Sequence, residues 1–259
     1  MKRKERKFST RLIRKGALIE ETYAAFRNWD LSIPFRKNLE SIRENNPIGA
    51  ANQQWLHEIL TTLSSRFEKN ESIEPLVLLA RGNFPIDKWR ACLLWHIGNL
   101  DEIYYSFATE WLFPQYREGA YLLRTEDALP FVRRITDGRI ASGEKLSEYG
   151  ALRAARDLLR MASDFGLLEG KVRKRFANYH LPQEAFMYIL HGLSGAGFST
   201  SQILSSKDWR LFLLDRDDIE RELFRLHQYK VLVYHVAGSM TQLTLPRTSL
   251  KEYARGLSA

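Results

Sequence analysis

Three arginines, Arg153, Arg156 and Arg160, are spaced three and four residues apart, which places them on one side of an α-helix. A second group of cations follows shortly afterwards: Lys171, Arg173, Lys174 and Arg175. Guanidinium groups pair two-pronged with a phosphate or with a guanine edge, and clustered cations attract polyanions by releasing condensed counterions. We therefore expect this stretch to contact duplex DNA, with the helix in the major groove and the later cations on the phosphates.

The same arginines have a second interpretation as the solvated face of an ordinary helix. Acidic residues four positions on would then neutralise them, in the pairs Arg153–Asp157 and Arg160–Asp164. Residues 153–175 nevertheless hold seven basic and three acidic side chains, so a net positive charge remains.

The other concentration of positive charge is a basic arm over residues 1–15, which contains eight Lys or Arg residues and one Glu. Its candidate DNA contacts are Lys2, Arg3, Lys4, Arg6 and Lys7. The alternative for this arm alone is a disordered, solubilising tail, since Lys- and Arg-rich termini are common.

Residues that could perform catalysis are sparse. The six histidines show no metal-binding spacing, and Cys92 lies in an apolar stretch that predicts a buried side chain. The acidic run over residues 215–222 sits where a helix begins, so capping explains it better than magnesium binding. The glycine-rich stretch 192–197 has the wrong order for a dinucleotide loop. We expect no catalytic residue, no metal, no cofactor and no enzymatic activity.

Helical periodicity dominates the first half of the chain, and we predict a bundle of five or six helices over residues 16–118. The expected helices are Thr10–Asn28, Pro34–Glu44, Ala51–Glu68, Ser72–Leu79, Pro85–Ile97 and Asn99–Arg117. The aromatic residues of this half fall mostly at helical intervals, which favours a core role over base stacking.

The second half, residues 119–259, adds short hairpins to its helices. One helix starts at Thr125, and a long one, capped by Ser142 or Ser147, runs to Phe165 before the basic hairpin. Helix, turn, helix and hairpin in this order are typical of a winged helix. The order recurs between Pro182 and Pro246 without a sequence repeat. The fold class is thus mainly α, with winged-helix-like units in the C-terminal half.

Composition bounds the setting in which the protein works. The 259 residues carry a formal net charge of +8 and one cysteine, so a disulfide framework is excluded and a reducing cytoplasm is favoured. The longest uncharged stretch, residues 185–206, contains several polar residues and a glycine-rich turn. It predicts two short helices rather than a membrane span.

Several blocks of the sequence resemble the BrxA family. They are Phe8–Thr22, Asp164–Gly170 with the basic residues that follow it, Leu181–Phe186, Asp208–Leu214 and Tyr234–Ser239. The resemblance spans about residues 8–252 and is specific as a set, although each block alone is weak.

The resemblance implies an accessory component of a bacteriophage exclusion (BREX) system, which marks host DNA by methylation and blocks phage replication. It implies a partial likeness to the helical antitermination factor NusB, double-stranded DNA as a partner, other BREX components as further partners, and no assigned catalysis. Some family descriptions name an inner-membrane protein, which the hydropathy of this chain contradicts.

Together these observations predict a non-catalytic, cytoplasmic protein that binds double-stranded DNA largely without regard to sequence. Two alternatives stay open. The protein may instead be a scaffold that docks other BREX proteins, as its acidic segment 16–138 and abundant aromatic residues suggest, or it binds RNA as a NusB-like bundle would.

Overall fold

The computed structural model describes residues 6, 8–10, 13–68, 73–137, 146–238 and 240–258, and helices make up most of them. The helices of the first half are α1 (Ile19–Arg27), α2 (Phe35–Asn45), α3 (Gln53–Phe67), α4 (Glu74–Arg81), α5 (Ile86–Leu100), α6 (Glu102–Ser106) and α7 (Phe113–Arg117). A π-helical segment, Phe107–Leu112, joins α6 to α7, so the three form one continuous helix. The predicted six-helix set is therefore confirmed in its main outline.

The second half alternates helices with two antiparallel hairpins. Its helices are α8 (Thr125–Thr136), α9 (Glu148–Asp164), α10 (Gln183–Gly195), α11 (Thr200–Leu204), a 3₁₀ segment (Lys207–Phe212), α12 (Arg216–Gln228) and α13 (Leu250–Leu257). The strands are β1 (Leu168–Glu169), β2 (Arg175–Phe176), β3 (Val233–Ala237) and β4 (Met240–Thr244). The mainly α fold class is confirmed.

Side-chain caps begin several of these helices where the sequence predicted them. Ser147 accepts the Gly150 amide at the start of α9, and Asp215 exchanges two hydrogen bonds with Asp218 at the start of α12. These contacts satisfy amides that have no partner inside the helix. The acidic run therefore caps a helix, as predicted.

Two predicted helices differ from the structure. Residues 10–28 do not form one helix, because Gly16 and Leu18 adopt left-handed backbone angles and α1 begins only at Ile19. Residues 200–214 likewise break: α11 ends at Leu204, and a 3₁₀ segment follows after Ser206 caps it.

The first hairpin is the pair β1–β2, joined by residues 170–174, and it is extended by one residue from earlier in the chain. Leu123 and Lys174 exchange both backbone hydrogen bonds, at 2.7 and 2.9 Å. Because Leu123 immediately precedes α8, the chain runs through a short extended segment, two helices and a hairpin that returns to that segment.

One hydrophobic core crosses the boundary predicted near residue 118. Helix α13 packs against α4, and α5 packs against α10 so closely that a Cβ on Gly192 would lie 2.2 Å from the Trp95 ring. The division into a 16–118 bundle and a 119–259 half therefore describes the order of elements and does not separate two cores.

Candidate nucleic-acid interface

Helix α9 carries the three predicted arginines on its exposed side. Arg153, Arg156 and Arg160, called here the arginine face, are all exposed, while the alanine and leucine residues of the opposite side are buried in the core. Tyr149, whose ring is also exposed, continues the arginine face toward the helix N-terminus. The sequence-predicted arrangement of these side chains is thus confirmed, whereas their DNA contact stays a prediction.

The acidic residues of α9 are mostly engaged away from the arginine face. Glu148 pairs with Arg133 of α8. Asp164, expected to neutralise Arg160, instead accepts the Ala17 amide through Oδ2 at 2.9 Å. Only Asp157 approaches the arginine face, with its Oδ2 at 3.9 Å from the Arg153 Nε.

The environment of Asp157 contains four guanidinium groups. Burial raises the pKa of Asp157, and Arg153, Arg156, Arg160 and Arg14 oppose that rise by favouring the charged carboxylate. Arg14 is exposed and belongs to a different element, the N-terminal segment, defined here as residues 13–18. The structure therefore adds Arg14 to the basic surface.

Buried contacts hold the N-terminal segment against α9. The Arg66 guanidinium, 3% exposed, donates to the Gly16 and Ala17 carbonyls at 2.6 and 2.8 Å. Gly16 adopts a φ of 73°, and a Cβ there would lie 2.7 Å from Asp164 Oδ2 and 3.2 Å from the Arg160 guanidinium. Glycine is thus required where the segment crosses α9.

The first hairpin stands at the far end of the same helix. Lys174 donates from Nζ to the Ser163 hydroxyl at 2.7 Å. At 100° per residue, Ser163 lies within an arc of about 80° that also contains Tyr149 and the arginine face. The hairpin therefore begins where the arginine face ends.

The four cations of the hairpin differ in their freedom. Lys171 and Arg173 are exposed at the turn, beside Val172, which is 85% exposed. Arg175 pairs with Glu169 across the two strands at 2.6 Å. Lys174 is half-buried and bonds to the protein itself, and burial lowers its pKa. Lys171 and Arg173 are thus the hairpin cations most available to a ligand.

The predicted contacts of the basic arm fall into two groups. Lys2, Arg3, Lys4 and Lys7 lie outside the described residues. Arg6 packs against the protein: its guanidinium lies 3.4 Å from the centroid of the Tyr105 ring, and its Nε donates to the Gly98 carbonyl at 3.1 Å. The structure therefore places Arg6 apart from the arginine face, in contacts with α5 and α6.

Other chemically interesting residues are used internally. Cys92 is buried, as predicted, and burial raises the pKa of its thiol. His96 is also buried, with its Nε2 2.7 Å from the Tyr188 hydroxyl, and burial lowers its pKa to about 3. Among the described residues, no three His, Cys, Asp or Glu side chains lie close enough to share a metal ion.

The second helix–hairpin unit, α11 to β4, has a different surface from the first. Each arginine of α12 has a close acidic partner on the same helix, in the pairs Arg216–Glu220, Arg221–Asp218 and Arg225–Glu222. The second hairpin, β3–β4, belongs to a stretch, residues 231–246, without any Asp, Glu, Lys or Arg. The basic surface is therefore confined to the first unit and the N-terminal segment.

The fold and this surface define a mainly helical protein with one basic face, built by α9, the first hairpin and the N-terminal segment. A protein-family model described as BrxA matches residues 6–192. Because the match covers more than half of the chain, the protein belongs to the BrxA family and is a component of a BREX phage-defence system. Searches of the curated proteins and of the solved structures found no match.

The family match ends within α10, so two of the resembling blocks, Asp208–Leu214 and Tyr234–Ser239, lie beyond it. In the part of the chain that the structure describes, no helix is both long enough and apolar enough to cross a membrane.

Proposed function

We propose that this protein binds double-stranded DNA through the arginine face and the first hairpin, as a non-catalytic, cytoplasmic component of its BREX system. One observation carries the proposal: Arg153, Arg156 and Arg160 are exposed together, with Arg14 added from the N-terminal segment. Four guanidinium groups around one loosely paired carboxylate leave a net positive charge that a phosphate backbone can neutralise.

The order of elements supports a winged-helix mode of binding. Leu123, α8, α9 and the first hairpin follow one another, and the hairpin pairs back onto Leu123 through its second strand. In such a unit the second helix enters the major groove and the hairpin contacts the adjacent backbone. The exposed arginines of α9 and the exposed Lys171 and Arg173 occupy those two positions.

Arginines on an otherwise plain helix face favour binding that depends little on base sequence. Phosphate contacts give affinity without sequence information, and each one contributes about −0.9 to the slope of log K against log salt. The arginine face and the two hairpin cations together predict a slope of roughly −4 to −5 if each contacts one phosphate.

The test compares two triple variants with equal loss of charge. Fluorescence anisotropy with a labelled duplex, titrated over a range of salt, is measured for R153A/R156A/R160A and for R216A/R221A/R225A. The first variant should bind weakly and lose up to about 2.7 of the slope, one increment per phosphate contact. The second should keep the parent slope, because its arginines are already paired within α12.

A similar loss in both variants would contradict the proposed interface, since it would then reflect net charge alone. The pair K171A/R173A tests the hairpin separately and should reduce the slope by about 1–2. Competition between the duplex and a structured RNA decides whether A-form RNA is the better ligand, and incubation of DNA with magnesium tests for cleavage.

Protein docking is a second candidate function, and the second hairpin favours it. Val236 and Met240 are exposed on a stretch that carries no charge, and the exposed rings of Phe224 and Tyr229 belong to the adjoining helix end. Exposed apolar groups of this kind are typical of protein contacts. Co-purification of the other BREX components with the parent and with V236S/M240S tests this surface without changing the arginine face.

A further inference from the structure

We propose that Asp157 is a built-in competitor of the DNA phosphate, which holds the affinity of the arginine face below the value that its four arginines would otherwise give. This inference rests on the proposed function and specifies how the same surface limits indiscriminate binding.

The position of Asp157 is the first argument. Its carboxylate lies on α9 between arginines of the same helix and Arg14 of the N-terminal segment, and its side chain is 12% exposed. The segment is fixed there by the Ala17 amide on Asp164 and by the Arg66 guanidinium on the Gly16 carbonyl. Asp157 therefore has cationic neighbours on both sides.

The loose pairing of Asp157 is the second argument. Its contact with Arg153 is 3.9 Å, whereas the arginines of α12 approach their carboxylates to 2.8 Å or less. Burial outweighs the four arginines in setting the direction of its pKa, which is raised. A carboxylate held this loosely does little to orient the guanidinium groups, but its negative charge still opposes an incoming anion.

The size of the effect follows from Coulomb's law. A phosphate bound by the arginine face would lie several ångströms from the Asp157 carboxylate, in a partly desolvated setting. Removing that repulsion should raise affinity about five- to thirty-fold at low ionic strength. The gain should shrink with added salt, because the screening length falls from about 14 Å at 50 mM to about 6 Å at 300 mM.

The experiment measures duplex binding by the full chain and its D157N variant, which keeps the shape of the side chain and removes its charge. D217N, on the exposed side of α12, is the matched control with the same change in net charge. D157A is the second variant, and thermal unfolding shows that each variant is folded. We expect tighter binding for D157N and D157A at about 50 mM salt, a smaller gain at about 300 mM, and little change for D217N.

Equal or weaker binding by D157N and D157A would overturn the inference, since it would mean that Asp157 is inert or positions the arginines. An equal gain in D217N would also overturn it, because the effect would then come from net charge. Failure of the proposed function is distinct: the parent chain would show no salt-dependent binding, or R153A/R156A/R160A would bind as the parent does.

Discussion

Arg66 anchors the N-terminal segment, so its replacement by methionine should loosen the contact between that segment and α9. The guanidinium is buried and donates to two backbone carbonyls, those of Gly16 and Ala17. Burial lowers its pKa only to about 10, so it is charged at neutral pH. The negative charges of Asp101 and Asp164 act on it within the same region.

The expected cost can be worked from these contacts. Each charge-assisted hydrogen bond contributes about 1.5–3 kcal/mol, and Arg66→Met leaves both carbonyls without this donor. Removing one member of a buried charged group typically costs about 3–5 kcal/mol, because the remaining carboxylates lose their counter-ion. We therefore expect a loss of about 3–5 kcal/mol in the free energy of unfolding, which for a chain of this size lowers Tm by roughly 6–15 °C.

Thermal and urea unfolding measure the global effect, and hydrogen exchange at the Ala17 amide measures local release of the segment. Arg66→Lys is the matched control, because it keeps the charge but loses the two-pronged geometry, and it should fall between the parent and Arg66→Met. If Arg66→Met melts within about 2 °C of the parent and its Ala17 amide exchanges no faster, the anchoring role is refuted.

Two further predictions concern stability. Burial raises the pKa of Asp101 to about 7, so the folded chain holds a proton there that the unfolded chain releases above about pH 4. The free energy of unfolding should therefore fall as pH rises from about 4 to 7, and urea titrations of Asp101→Asn should lack that part of the fall. Gly192→Ala should destabilise by at least about 1–3 kcal/mol, since its Cβ would meet the Trp95 ring at 2.2 Å. Gly195→Ala, with open space around it, should be neutral or slightly stabilising, and comparison of the two melting temperatures checks both.

Most helix positions follow from the sequence because local signals determine them. Ser147, Asp215 and Ser249 each accept an amide hydrogen bond at the start of a helix, and periodic apolar residues mark the faces that become buried. The arginine face belongs to this class, because its spacing on a single helix is enough to place its members together.

The features that the sequence missed depend on contacts between distant segments. Arg14 joins the basic surface only because Arg66 and Asp164 hold the neighbouring residues against the protein. Arg6 seemed equivalent to its basic neighbours, yet the Tyr105 ring binds it within the fold. Composition alone shows that the first fifteen residues are basic, but it cannot show which of their charges face outward.

The contrast between the two helix–hairpin units argues that surface charge, rather than architecture, divides their roles. Both units place a helix before a hairpin, but α12 pairs each arginine with its own carboxylate, and the second hairpin carries no charge. In α9, Glu148 and Asp164 are drawn away by Arg133 and by the Ala17 amide, which leaves only Asp157 near the arginine face. The positive charge of α9 thus arises from where its acidic residues are used, since each helix has three arginines and α9 has three acidic residues to the four of α12. Contacts at the edges of α9 therefore create a surface suited to a polyanion, while α12, neutral by its own pairing, is suited to a protein partner.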